Sequence, residues 1–377
     1  MGKDALRILI FIILIMFLSC TIIPAQSEWA VLDSPPTGTA PAGEVLHPGH
    51  LGREIGNVEL IIHFYHDLIG LGLLGPRSAP RPFGSKYTNP ALLEFVDIGV
   101  GVPNPMDQRN RAVILPIPGT SSSTESTMAI EAIEIKEIES RPYKPSMRDP
   151  GASHIKLFVR DLDRTLAILK DELVPVITVG GEPVTLTNYP GIEGLIRGVF
   201  VRDPDGYPVG LLEITPPPAS IAPAESNILG ARIAIVVDNL ETICRWFRNL
   251  VGSDLQFWSS PGFMGDKTYT ELTNTPGQFR MAMALIPGSP VIMEFIEYKD
   301  HPKNFVRPHI QDPGTAHILF MSKDVDIVMS RLRAAGLHTL GSSDAPVFIG
   351  PTTRSFFVAN PDGFWAEFMD NGVKRKP

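Results

Sequence analysis

The sequence predicts an α+β protein made of four copies of one β-α-β-β-β module, and three observations carry that expectation. The stretch Asp149-Pro150-Gly151-Ala152-Ser153-His154-Ile155 returns as Asp312-Pro313-Gly314-Thr315-Ala316-His317-Ile318. A glutamate precedes each of these histidines by 23 residues (Glu131, Glu294), and an aspartate follows each by seven (Asp161, Asp324). An aromatic-flanked turn then recurs, as Asp203-Pro204-Asp205-Gly206-Tyr207 and as Asn360-Pro361-Asp362-Gly363-Phe364. Self-similarity of this kind marks repeated supersecondary units.

The helices expose the full count of modules. Asn57, Asp161, Asn239 and Asp324 each suit an N-cap, because a short side-chain oxygen can accept an unpaired N–H of the first turn. Apolar residues follow at helical spacing: Val58/Ile61/Tyr65/Leu68, Leu162/Leu166/Leu169/Leu173, Leu240/Ile243/Phe247/Leu250 and Val325/Val328/Leu332. Gly70, Gly252 and Gly336 are placed to end three of these helices, and Pro175 ends the other. Seven residues before each cap stand His50, His154, Arg232 and His317, each opening a short strand. Alternation in Ile155/Leu157/Val159 and Ile233/Ile235/Val237 turns the apolar side chains toward the helix, so residues 154, 232 and 317 face the other way. β-rich runs at 91–96, 112–115, 199–201, 280–285 and 355–358 come next, and last strands at 129–135, 209–214, 291–298 and 365–369 close the modules.

Around this repeat the chain has simple punctuation. Lys3 and Arg7 precede an apolar run at 8–23, so residues 1–25 read as an export signal, too short to favour a spanning helix. Phe17-Leu18-Ser19-Cys20 is a loose lipobox that would lipid-anchor the chain at Cys20, and cleavage after Ala25 is the competing reading. Either implies a periplasmic or cell-envelope location. Residues 26–44 are small, Pro-rich and aperiodic, a flexible tether. A second Pro-rich linker at 215–226 divides the chain into 45–214 (modules 45–140 and 151–214) and 227–371 (modules 227–300 and 314–371), both of single-domain size. A net charge of −8, without a basic patch, disfavours nucleic acid and leaves the N-terminal segment as the only membrane contact. Cys20 lies in the signal, so Cys244 has no disulfide partner and reads as a small buried hydrophobe.

The register of His50, His154, Arg232 and His317, the Asp-Pro-Asp-Gly turn and the Glu-bearing last strands resemble the vicinal-oxygen-chelate superfamily (glyoxalase I, extradiol dioxygenases, bleomycin-resistance proteins) over roughly residues 45–371. The resemblance implies that modules pair into two cup-shaped mixed sheets, each able to hold a divalent metal. Carried over residue by residue, and pairing neighbours in sequence, it gives His50, Glu131, His154 and Gly210 to the first cup. Arg232, Glu294, His317 and Glu367 fall to the second. His50, Glu131 and His154 are thus the expected ligands, with Glu131 also the catalytic carboxylate. Two imidazoles and one carboxylate suit Fe(II), Mn, Zn or Ni and leave adjacent sites for a substrate with two neighbouring oxygens. In the second cup Arg232 cannot coordinate and is expected to bridge Glu294 and Glu367. Glu134 and Glu297, three residues beyond the proposed ligands, are expected to be surface charges.

The resulting expectation is an exported metal-dependent lyase, isomerase or dioxygenase acting on a small oxygen-rich metabolite, with its site in the N-terminal cup. The alternative is a non-catalytic small-molecule binder of the bleomycin-resistance type. Members of this superfamily often pair their cups, so a homodimer fits either reading.

Overall fold

The computed structural model describes Ala30–Val31 and residues 45–74, 109–121, 127–136, 139–186 and, with short interruptions, 189–370. The export segment 1–25, most of the tether and the expected strand at 91–96 lie outside the described residues. Beyond a short strand β1 (Ala30–Val31), four modules follow in order. The first is β2 (Val45–Ile55), α1 (Val58–Ile62, continued by a π-helical His63–Ile69), β3 (Arg109–Pro116) and β4 (Ala129–Lys136). The second is β5 (Ser153–Val159), α2 (Leu162–Asp171), β6 (Val184–Leu186), β7 (Leu195–Arg202) and β8 (Pro208–Thr215). The third is β9 (Ile228–Val236), α3 (Leu240–Val251), β10 (Trp258–Ser259), α4 (Lys267–Thr273), β11 (Phe279–Leu285) and β12 (Ile292–Tyr298). The fourth is β13 (Ala316–Ser322), α5 (Val325–Ala334), β14 (Thr339–Leu340), β15 (Val347–Phe348), β16 (Arg354–Ala359) and β17 (Trp365–Asp370).

All four expected caps are in place. The side chains of Asn57, Asp161, Asn239 and Asp324 accept from the N–H groups of Leu60, Arg164, Thr242 and Asp326. Gly70 ends the first helix in the left-handed region, at φ 96°. In the second module Leu173 takes the left-handed conformation that glycine supplies elsewhere.

A second local device repeats with the caps. Glu134, Glu213, Glu297 and Asp370, each on a last strand, accept the first helical N–H, from Val58, Leu162, Leu240 and Val325. Arg111, Arg197, Arg280 and Arg354, on the preceding strand, then tie each acid to a first-turn carboxylate of the helix: Glu59, Asp163, Glu241 and Asp326. Negative charge at a helix N-terminus meets its exposed amide dipoles, a contribution of about 0.3–1 kcal/mol at each. This corrects the expectation for Glu134 and Glu297, which are 1% and 8% exposed and pin helix to sheet. Their spacing reflected packing geometry common to all four modules.

The sheets do not follow the division of the chain into halves. One has the strand order β1-β10-β11-β12-β9-β5-β8-β7-β6; the other runs β14-β16-β17-β13-β2-β4-β3, with β15 on β16. The second and third modules therefore share one sheet, and the first and fourth share the other. The expected closure of 45–214 and 227–371 into separate cups is corrected accordingly. Every module presents the same kind of open edge on its first strand, so the repeat itself does not choose a partner. Tertiary contacts from the connectors do. The connector after β4 docks on the fourth module, where Tyr143 N–H donates to Pro313 O and Arg141 N–H to Asp312 Oδ1. The Gly314 position lies so close to the Tyr143 carbonyl that a Cβ there would stand 2.2 Å from its oxygen.

Side chains on the helix-facing strand positions, such as Leu51, Ile155, Ile233 and Ile318, join the buried faces of the four capped helices in one core cluster. Cys244 is buried there, as expected, and burial pushes its thiol up to about 12. Threaded through this layer is a buried ion pair, Arg53 to Asp203 at 2.9 Å, with the guanidinium 3.6 Å from the centre of the Tyr207 ring. It joins β2 of the first module to the Asp-Pro-Asp-Gly turn of the second.

Candidate metal centre

On the face opposite the helices, strand register brings four side chains of the first and fourth modules together. β2 and β13 run antiparallel with Gly52 opposite His317 and Leu319 opposite His50. Parallel pairing then sets Glu131 of β4 beside Gly52 and Glu367 of β17 beside Leu319. The two halves obey the same rule: each histidine lies two residues before the partner of its module's glutamate. Alternation sends His50, Glu131, His317 and Glu367 to one face.

Their contacts are close. His50 Nε2 lies 2.9 Å from Glu131 Oε2 and 3.7 Å from Glu367 Oε2, and His317 Nε2 lies 3.4 Å from Glu367 Oε2. Donor atoms of His50, His317 and Glu367 all fall within 4.8 Å of one another. Ligands held at 2.0–2.2 Å from one ion stand roughly 3–4.3 Å apart, the range in which the contacts of His50 and His317 to Glu367 Oε2 fall, at 3.7 and 3.4 Å. A second observation agrees. His50 Nε2 is buried and forms no well-aligned hydrogen bond, despite its nearness to Glu131. Ser355, buried on β16, donates to the other oxygen of Glu367 and fixes that carboxylate.

The electrostatics reflect this crowding. Burial acts to lower the His50 imidazolium pKa, but Glu131 and Glu367 outweigh it and carry it to about 10. Burial acts to raise Glu367, and His317 and His50 instead hold it at about 2. Glu131 is also lowered, with His50 overcoming its burial. Its side chain is 25% exposed against 5% for Glu367, making it the carboxylate nearer to solvent. Two residues past Gly52, Glu54 shares the face and is 3% exposed, and burial pushes its carboxyl up to about 7.

Gly52 is required by this geometry. A Cβ at that position would lie 2.0 to 2.6 Å from three atoms of the His317 ring, so the imidazole rests directly on the glycine backbone. Gly52→Ala is expected to displace His317, cost about 1–3 kcal/mol by overpacking and lower metal content; thermal unfolding and elemental analysis check both.

His154, expected beside His50, lies in the other sheet. Its register is equivalent, with β5 and β9 antiparallel, His154 opposite Ala234 and Lys156 opposite Arg232. The chemistry is not. Glu294 is 0% exposed and bonded by Arg232 at 3.0 Å, by Lys156 and by the Tyr189 hydroxyl. Gly210, at the fourth position, is filled by Phe200 and Lys156, either of which a Cβ would strike. His154 packs edge-on against Phe200, with burial and then Lys156 holding it neutral, well below its usual range. Tyr269, Leu272 and Phe279 join an apolar cluster over this face. Arg232 does not bridge Glu294 and Glu367, because those carboxylates belong to different sheets. A Lys ammonium and an Arg guanidinium occupy the space that a metal would need.

The site missing from the sequence reading is therefore the pairing of His50 and Glu131 with His317 and Glu367. Lys156 and Glu54 carried a usable signal, since alternation from His154 and His50 places each on the cup face; nothing local to Ser355 announced its role.

Comparison with known proteins fits this architecture. The sequence model of the Glyoxalase/Bleomycin resistance protein/Dioxygenase superfamily matches residues 218–368, which contribute one module to each sheet. The crystal structure of glyoxalase I from Zea mays is similar at 14% identity and TM-score 0.51, covering 86% of this chain and 92% of that one. A putative dioxygenase from Bacillus subtilis is similar at 12% identity and TM-score 0.52, covering 88% and 86%. No curated protein matches the sequence. Residues 218–368 thus carry the sequence pattern of the Glyoxalase/Bleomycin resistance protein/Dioxygenase superfamily, and the four modules closed into two mixed sheets share the fold of these solved structures.

Proposed function

We propose that this protein is a metal-dependent enzyme acting on a small substrate with two neighbouring oxygens, at a centre formed by His50, Glu131, His317 and Glu367. The observation that carries this reading is the convergence of His50, His317 and Glu367 donor atoms within 4.8 Å. Two imidazoles and two carboxylates suit Zn, Ni, Fe(II) or Mn. When bound, such an ion polarises substrate oxygens as a Lewis acid.

The donor count favours one branch of the expected chemistry. The ion would be held by four side chains, two of them carboxylates, one more acid than a two-histidine, one-carboxylate set provides. The additional carboxylate supports a lyase or isomerase that depends on proton transfer, over ring cleavage. Glu131, the carboxylate nearer to solvent, is the residue suited to hold or transfer that proton at Oε2. His317 and His50 keep Glu367 ionised and Ser355 orients it, while the second cup serves as packed structure.

The test is elemental analysis together with Co(II) titration of the wild-type protein and His50→Ala. Because the metal must displace the proton that Glu131 and Glu367 stabilise on His50, apparent Co(II) affinity should rise roughly tenfold per pH unit toward about 10. Absence of stoichiometric metal from both proteins would sink the enzyme reading and leave the ligand-binding alternative.

The proposal includes export. The apolar run at 8–23 and the Cys20 lipobox support a location in the periplasm or envelope, with lipid attachment or cleavage after Ala25. Among the described residues no helix is long and apolar enough to cross a membrane. Fractionation of cells carrying the wild-type chain or Cys20→Ser decides between a lipid-held and a released product.

A further inference from the structure

We propose that Glu54 is the outer partner of His317, accepting the Nδ1–H of its imidazole and so fixing Nε2 as the atom turned toward the metal. This inference rests on the metal reading given above. Three placements lead to it. His50, Gly52 and Glu54 alternate onto the cup face of β2, and Gly52, directly opposite His317, supplies the gap in which the ring lies. The Glu54 backbone is fixed by reciprocal bonds across the strand pair, with its N–H donating to Thr315 O and its carbonyl accepting from Gly314. On one side of the ring, Nε2 lies 3.4 Å from Glu367. The other nitrogen, Nδ1, is buried without a hydrogen-bond partner, and so is Oε2 of Glu54.

One buried group able to donate and one buried acceptor, both unpaired on one small face, each carry a desolvation cost if left unsatisfied. In the proposed contact the Glu54 carboxylate turns to accept from Nδ1, which pairs both atoms. A metal-bound histidine usually gives its second N–H to a carboxylate, carbonyl or water, which sets the tautomer and raises ligand basicity.

The second cup supplies an internal contrast. Val236 is the equivalent of Glu54, for its N–H donates to Ala152 O and its carbonyl accepts from Gly151. The histidine beside it, His154, has neither an outer carboxylate nor an inner one, and its Nε2 is buried without a hydrogen-bond partner. A carboxylate at this register thus accompanies the cup whose donors converge and is absent from the cup whose donors do not.

The test uses full-length wild type, Glu54→Gln and Glu54→Leu in two measurements. One is Co(II) titration; the other is long-range proton–nitrogen NMR of the metal-free, nitrogen-15-histidine-labelled proteins. In wild type His317 should carry its proton on Nδ1. Glu54→Leu should shift both ring nitrogens toward a tautomer mixture and weaken Co(II) binding roughly 10–100-fold at unchanged stoichiometry. Glu54→Gln keeps an acceptor oxygen, so it should retain the tautomer, move the Nδ1 signal and lose less affinity. Unchanged ring signals in both variants, with Co(II) affinity within about twofold of wild type, would overturn the proposal. Should Glu54→Leu fail to fold, an unmoved Nδ1 signal in Glu54→Gln has the same force. If wild type takes up no Co(II) but the signals still move with Glu54, the metal reading fails while the Glu54–His317 contact stands.

Discussion

Replacing His317 with alanine is expected to strip the divalent ion from the protein, while His154→Ala leaves metal content at the wild-type value. Both histidines follow the same Asp-Pro-Gly motif by the same spacing, so nothing in their immediate sequence separates them. Their sheets do. His317 shares a face with His50, Glu131 and Glu367, whereas His154 faces Lys156, Arg232 and an already neutralised Glu294. If four donors share a binding free energy of about 10–16 kcal/mol, losing one removes about 3 kcal/mol, on the order of a hundredfold in affinity. Elemental analysis of the two variants after identical dialysis makes the comparison. Equal loss of metal from both would refute the assignment of the centre to the first and fourth modules.

Glu294→Ala is expected to destabilise the fold by about 3–5 kcal/mol, because it removes the carboxylate that the buried Lys156 and Arg232 share. Both cations are almost fully enclosed, at 0% and 3% exposed, so water cannot take over from the carboxylate. Titration points the same way. Burial acts to raise Glu294, but Lys156 and Arg232 hold it at about 2, against 4.5 when unfolded. A folded pKa below the unfolded one contributes stability above pH 4.5 that disappears as pH falls toward 2, here about 3 kcal/mol. Denaturant unfolding followed from pH 6 to pH 2.5 should show this decline in wild type and a flatter profile in Glu294→Gln. Metal content should not change in either variant, since the second sheet holds no part of the proposed centre.

The two expectations treat the chain's repeated histidine motif in opposite ways, which shows where its sequence is informative. Helix caps, strand alternation and the 23-residue spacing act over a few residues, so Asn57, Asp161, Asn239 and Asp324 announced their helices directly. Strand alternation likewise turned residues 154, 232 and 317 away from the helices, and the family resemblance added His50, Glu131, Glu294 and Glu367 to the cups. The acids three positions beyond were legible in spacing but misread in role, because their burial depends on an arginine from another strand. Glu54 and Lys156 could have been placed by the same alternation that placed their neighbours.

What the sequence alone determined, then, is the module, its count of four and the face that each chemically active residue occupies. Only the tertiary structure decided which modules share a sheet. Backbone pairing between first strands is sequence-tolerant, and four similar edges offer several pairings of comparable local quality. Distant contacts accompany the choice: the connector at Tyr143 docks the first module's chain on the Pro313 loop of the fourth, and Arg53 buried against Asp203 ties one sheet to the other. That choice turns two incomplete donor sets into one complete set and one ion cluster. His50 thereby gained His317 and Glu367, and His154 was left with Lys156.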